Sequence, residues 1–151
     1  MIATAQPEPA QGRQAQPKRG FSWPIRIYWE DTDAGGIVFY ANYLKFFERA
    51  RTEWLRSLGI EQHKLKESSG GMFVVADTSI RYARPARLDD ELTVTASLLQ
   101  SGRASMTIHQ QALLKDTVIC EGTIRIGWVN AASVQPCRIP KNIIESLRTP
   151  L

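Results

Sequence analysis

Residues 25–58, IRIYWEDTDAGGIVFYANYLKFFERARTEWLRSL, change periodicity within one stretch, and that change constrains the whole chain. The segment begins as an aromatic and β-branched run and breaks at an acidic turn ending in Gly35 and Gly36. It resumes after Asn42 with apolar residues at helical spacing. Strand, loop and helix therefore follow one another directly. Tyr43, Phe46, Phe47, Ala50, Trp54 and Leu58 form a broad apolar stripe, with Lys45, Arg49, Glu53 and Arg56 on the other sides. Such a helix needs a large apolar surface opposite it, most simply a curved sheet. The loop before it gathers Glu30, Asp31 and Asp33, more acid than a solvated turn requires. From composition alone, a turn role and a chemical role for these acids stand about even.

The flanking pattern supplies that sheet. A first strand is expected over 23–29, with Ile25, Ile27 and Trp29 on one face. Gly59 ends the helical run, and a short second helix is expected over 60–66 before SSGG resets the chain. Residues 72–82 alternate, with Met72, Val74, Ala76, Thr78, Ile80 and Tyr82 sharing a face, until Pro85 breaks the ladder. Leu92, Val94, Ala96 and Leu98 mark the next strand. After a turn at 100–103, Ala104, Met106, Ile108, Gln110 and Ala112 lie opposite Ser105, Thr107 and His109. A second hairpin at 114–118 leads to a long strand over 118–129, where Gly122 marks either a bulge or a close backbone approach. The closing IPKNIIESL reads as a short helix with Pro140 near its first turn and Ile143, Ile144 and Leu147 on one side. One internal helix followed by a strand-rich remainder is α+β.

A chain of 151 residues and 17.0 kDa suits one domain with one core. Residues 1–21 hold three prolines and repeated glutamines but almost no branched aliphatics, so they read as a flexible tail before a domain at 22–151. No apolar run follows Met1, which argues against a secretory signal. The tail carries +2 of the formal +4 charge, leaving the folded part mildly basic. That suits an anionic ligand but reveals no nucleic-acid-binding face. Cys120 and Cys137 are too few for a disulfide scaffold, and the simpler reading is a reduced, cytoplasmic protein. Cys120 reads as a small core residue, and Cys137 has no evident basic activator. His63 and His109 lack metal-ligand spacing, and no apolar stretch is long enough to span a bilayer.

DTDAGGIVFYANYLKFFERAR, residues 31–51, resembles the signature of the 4-hydroxybenzoyl-CoA thioesterase family of hotdog-fold proteins, and most closely its branch associated with the bacterial Tol-Pal system. The resemblance resumes at YARPARLDDEL, residues 82–92, is looser near IPKNI, and spans roughly residues 24–146. It implies a long central helix wrapped by an antiparallel sheet, in a dimer or tetramer with active sites at the subunit interface. It also implies an acyl-CoA substrate, with coenzyme A as part of that substrate rather than a cofactor. Acyl carrier protein is one protein partner it allows. One motif position departs: Tyr40 stands where the Tol-Pal branch commonly carries histidine, whereas the 4-hydroxybenzoyl-CoA enzyme has an aromatic residue there.

The resemblance places Asp33 at the position of the thioesterase aspartate, as nucleophile or as the base that activates water. Backbone N–H groups at a helix start can hold an oxyanion, and the interval from Asp33 lets the Tyr40 N–H serve, whatever the Tyr40 side chain does. Asp31 reads as a cap or brace of the turn, and Gly35 and Gly36 permit its backbone course. Glu48 points either to the loop or partner subunit, or to solvent. Phe39, Tyr40 and Tyr43 are candidates to line the acyl pocket, with a core role competing for Tyr43. Arg84, Arg87 and Arg103 suit coenzyme A phosphates, with ordinary surface charge beside Asp89, Asp90 and Glu91 as the alternative. His63 and His109 read as surface residues. The expected activity is metal-free hydrolysis of an acyl-CoA thioester; a noncatalytic acyl-group or protein-binding hotdog module is the alternative.

Overall fold

The computed structural model describes residues 20–148, so the expected tail lies outside the described residues except for its last two positions. Five strands form one antiparallel sheet: β1 (Phe21–Arg26), β2 (Gly71–Tyr82), β3 (Glu91–Ser101), β4 (Ser105–Leu114) and β5 (Thr117–Asn130). Their spatial order is β1-β3-β4-β5-β2. The helix α1 (Asn42–Ser57) lies across one face, chiefly against β3 and β1, with α2 (Gln62–Ser69) leading into β2 and α3 (Lys141–Arg148) closing the chain. No helix among the described residues is long and apolar enough to cross a membrane.

Alternation decides which residues meet α1. Leu92, Val94 and Ala96 on β3, Met106, Ile108 and Ala112 on β4, and Ile124, Ile126 and Trp128 on β5 are buried with Tyr43, Phe46, Phe47, Ala50, Trp54 and Leu55 of the helix. The expected stripe thus holds, with Leu55 added and Leu58 only partly buried. Gly122 sits where β5 passes beneath α1. A Cβ there would lie 2.7 Å from the Ser79 carbonyl oxygen and 3.3 Å from Phe47 Cε2. It is a point of close approach, and the ladder runs through it without a bulge.

Three local expectations are corrected. The first strand ends at Arg26, because the Tyr28 N–H is taken by the Asp31 carboxylate and the chain winds into a 3-10 turn at Trp29–Asp31. Trp29, expected beside Ile25 and Ile27, is consequently 80% exposed. In β2 the register shifts between Val75 and Asp77, which reverses the facing: Phe73 and Ile80 both pack on the core, so Met72 and Ile80 do not share a face. The second helix extends through Ser68 and Ser69, whose hydroxyls bond back to the Leu65 carbonyl.

The sheet keeps two open edges. β1 is short and contains Pro24, whereas β2 is 12 residues long and leaves Val75 and Tyr82 exposed.

Replacing Gly122 by alanine forces backbone and Phe47 apart, at a cost of about 1–3 kcal/mol. Urea unfolding of Gly122→Ala measures it, and the expected result is a lower midpoint with an unchanged slope.

Candidate active site

The acidic loop is built from its own backbone and one buried carboxylate. Asp31, 6% exposed, accepts the Tyr28 N–H at 2.8 Å through Oδ2. Its carbonyl accepts both the Phe39 N–H and Asn42 Nδ2 at 2.9 Å. One residue therefore ties both ends of the loop: its carboxylate holds Tyr28 through a charge-assisted bond of the kind worth ~1.5–3 kcal/mol, and its backbone carbonyl holds the start of α1. Asn42 opens the helix without capping it. Ala41 holds the cap position without a side-chain bond, and the Asn42 amide is committed to Asp31.

Between these ties the chain folds back on itself. Thr32 pairs with Val38, the Asp33 N–H reaches the Ile37 carbonyl at 2.9 Å, and the Gly36 N–H reaches the Asp33 carbonyl at 3.0 Å. Gly36 turns the tip with φ +76°, a conformation costly for a side-chain-bearing residue. The Asp33 carboxylate accepts the Gly35 N–H at 2.8 Å through Oδ1; Oδ2 has no hydrogen-bond partner among the described residues. Asp33 is exposed, so one oxygen orients the group while the other faces outward.

A second set of contacts fastens the loop to the sheet. Ile37 bridges to Arg87, and the Val38 N–H donates to the Ala86 carbonyl at 2.9 Å. The Tyr82 hydroxyl, at the end of β2, donates to the Tyr40 carbonyl at 2.9 Å. The Tyr40 N–H itself finds no protein acceptor among the described residues. Phe39, Tyr40 and Tyr82 form an edge-to-face run of rings, with centroids 4.9 and 6.2 Å apart, and all three are exposed. Partial desolvation shifts the Tyr82 hydroxyl upward from its ordinary pKa. Tyr43 belongs to the core instead. It is buried, its hydroxyl accepts the Ala86 N–H at 3.3 Å, and burial raises its pKa despite that bond.

The remaining candidates separate. Arg84 and Arg87 are exposed at the Asp33 end of the sheet, Arg87 opposite Ile37 and with its N–H on the Asp90 carboxylate at 2.8 Å. Arg103 lies at the other end of β3, about 30 Å away along the strand, beside Arg138, Lys141 and Arg148. Glu48 also points away from the loop. It lines a cavity with Arg51, Thr52 and Leu55 of α1 and with Phe73, Val74 and Val75 from the first half of β2. Within one chain, then, Asp33, Asp31, Gly35, Gly36, Phe39, Tyr40, Arg84 and Arg87 share one end of the fold, while Glu48 and Arg103 do not.

Neither histidine approaches the loop: His109 pairs with Glu121 at 2.6 Å on the sheet face away from α1, and His63 with Glu67 at 3.2 Å on α2. Cys120 is buried, and desolvation pushes its thiol up to about 12, so it is an inert core group. Among the described residues, no three His, Cys, Asp or Glu side chains gather closely enough to hold a metal ion. Sequence reasoning missed Tyr82 as a tether, Arg51, and Gln110 as a polar group inside the core. Only the last left a signal, a glutamine in phase with Met106, Ile108 and Ala112.

A long helix packed across an antiparallel sheet, entered through an acidic loop, defines a hotdog-fold α+β protein. The chain belongs to the thioesterase-like superfamily, whose sequence pattern matches residues 27–147. It is closely related to proteins called YbgC: it is 40% identical over 124 residues to the acyl-CoA thioesterase YbgC of Haemophilus influenzae, covering 82% of this chain and 91% of that protein. It is 36% identical over 129 residues to the acyl-CoA thioester hydrolase YbgC of Escherichia coli, covering 85% and 96%. The crystal structure of a probable thioesterase from Bartonella henselae superposes with a TM-score of 0.76 at 32% identity, covering 80% of this chain and 99% of that one.

Proposed function

We propose that the protein is a cytoplasmic acyl-CoA thioesterase in which Asp33 and the Tyr40 N–H act on the thioester. The observation that carries this reading is an outward Asp33 oxygen on a loop braced at both ends, immediately before an uncapped helix start whose preceding N–H is unused. Such a donor aimed at a carbonyl oxygen stabilises the charge that develops as the carbonyl becomes tetrahedral. Asp33 serves in one of two ways. It attacks the carbonyl carbon, expelling coenzyme A thiolate and leaving an anhydride that water then opens. Alternatively, it takes a proton from water as that water attacks, and the proton passes to the departing sulfur. Both routes break the C–S bond, form a C–O bond and yield a carboxylic acid and free coenzyme A. Arg84 and Arg87, exposed at the same end, suit the phosphates of the coenzyme.

The reading includes self-association. The open β2 edge is long, and antiparallel pairing of β2 with its own copy about Asp77 sets the Tyr82 end of one subunit beside Phe73, Val74 and Val75 of the other. The Asp33 loop of one subunit then adjoins the Glu48 cavity of its partner, which brings together what a single chain holds apart.

Asp33→Asn keeps size and hydrogen-bonding reach but removes the carboxylate. Single-turnover cleavage of an acyl-CoA is expected to slow by ~10²–10⁴-fold with coenzyme A binding and subunit mass retained. Tyr40→Phe keeps the backbone donor and should be far milder. Near-parental cleavage by folded Asp33→Asn refutes the assignment, and a comparable collapse in Tyr40→Phe transfers the role to the phenol. For assembly, light scattering at several low concentrations should report a dimer or a tetramer; a compact monomer with full activity contradicts the interfacial site.

A further inference from the structure

The cavity beside the middle of α1 is apolar except for one polar side. Phe73, Met106, Ile108 and Ile126 supply apolar walls, whereas Glu48, Arg51, Thr52 and Gln62 make the polar side, with Glu48 close enough to Arg51 for its charge to act on it. Arg51 is withdrawn from solvent enough that desolvation lowers its pKa, with Glu48 opposing the shift. No carboxylate stands within ion-pair distance of it among the described residues. What holds it is Gln110, a fully buried amide among aliphatic neighbours. Gln110 Nε2 donates to the Phe47 carbonyl at 3.0 Å and the Thr95 carbonyl at 3.2 Å, and Oε1 accepts Arg51 Nη1 at 2.9 Å. Two carbonyls at one end require the NH₂ there, so the oxygen must face the guanidinium. A leucine or methionine would fill this core position without a desolvation cost. The glutamine's bonds to α1 and β3 instead fix where the cation stands, leaving four of the five guanidinium N–H donors beyond its own bond.

We infer that Arg51 is the specificity-determining residue of the acyl site, with Gln110 positioning it. The cavity thereby prefers a short acyl group carrying a hydroxyl over an alkyl group of the same size. This deepens the thioesterase reading and rests on it. The cavity measures about 190 Å³, and since ~150 Å³ accommodates benzene, it has room for roughly six to eight heavy atoms. Glu48 decides between oxygen functions. A hydroxyl accepts from the guanidinium and donates to the carboxylate at once, while an acyl carboxylate meets repulsion from Glu48.

The test is kcat/KM for pentanoyl-CoA and 4-hydroxybutyryl-CoA, acyl groups with equal numbers of heavy atoms, together with succinyl-CoA. The parent protein is expected to favour the hydroxyacyl substrate by about tenfold or more over both others, the range of one hydrogen bond to a charged group. In Arg51→Met that ratio should collapse by a similar factor. Arg51→Lys should keep part of it, and Gln110→Met should lower it without changing subunit mass. A parental ratio near one, a ratio unchanged in Arg51→Met, or a preference for succinyl-CoA overturns the assignment. Equal loss on all substrates together with loss of subunit mass in Arg51→Met overturns it too, making Arg51 an assembly residue. If the parent cleaves no member of this panel and no other acyl-CoA, the thioesterase reading itself fails; cleavage without discrimination defeats only the role of Arg51.

Discussion

Burial of one face of α1 against the sheet is the constraint on which the rest depends. Phe46, Phe47 and Ala50 lose all contact with water there, and each large side chain so buried contributes about 1.5–3 kcal/mol. The close approach at Gly122 admits Phe47, and Gln110, paired with Gly122 across the ladder, bonds the helix backbone at the same residue. These contacts set the direction of α1 and thereby where it begins. The acidic loop only has to join that point to the end of β1.

Two aspartates two positions apart acquire opposite characters from this arrangement. Asp31 is buried, and its carboxylate and carbonyl are both spent on holding backbone and Asn42. Asp33 is exposed, with one oxygen engaged by Gly35 and the other without a hydrogen-bond partner among the described residues. Replacing the Asp31 side chain would release the Tyr28 end of the loop, while the backbone carbonyl at this position would still accept Phe39 and Asn42; replacing Asp33 would leave the scaffold in place. The distinction is one of hydrogen-bond satisfaction rather than charge.

Alternation and helical spacing made the sheet, α1 and α3 legible, because each has one face buried by a single neighbour. They failed where a side chain intervened in the backbone. The Asp31 carboxylate ended β1 before Trp29, and a register shift near Ala76 reversed the facing of β2. The loop motif located Asp33 and Tyr40 together, since they lie close in sequence. It could not show that Arg103 stands at the far end of β3 or that Glu48 faces a cavity built from the first half of β2, because both depend on strand direction. Gln110 was visible as a polar residue in an apolar phase, but its meaning required Phe47 and Arg51 to be brought beside it.

We propose that the Tyr40 N–H, which has no protein acceptor among the described residues, donates to the carbonyl oxygen of the substrate next to Asp33. The most direct measurement is the amide proton resonance of Tyr40 as the protein is saturated with an acyl-CoA analogue in which methylene replaces the thioester sulfur, preserving the carbonyl. A downfield shift and slowed exchange are expected at Tyr40, the signature of a new hydrogen bond, while Gly35, already bonded to Asp33, moves little. Saturation of the protein with no change at the Tyr40 amide would contradict it.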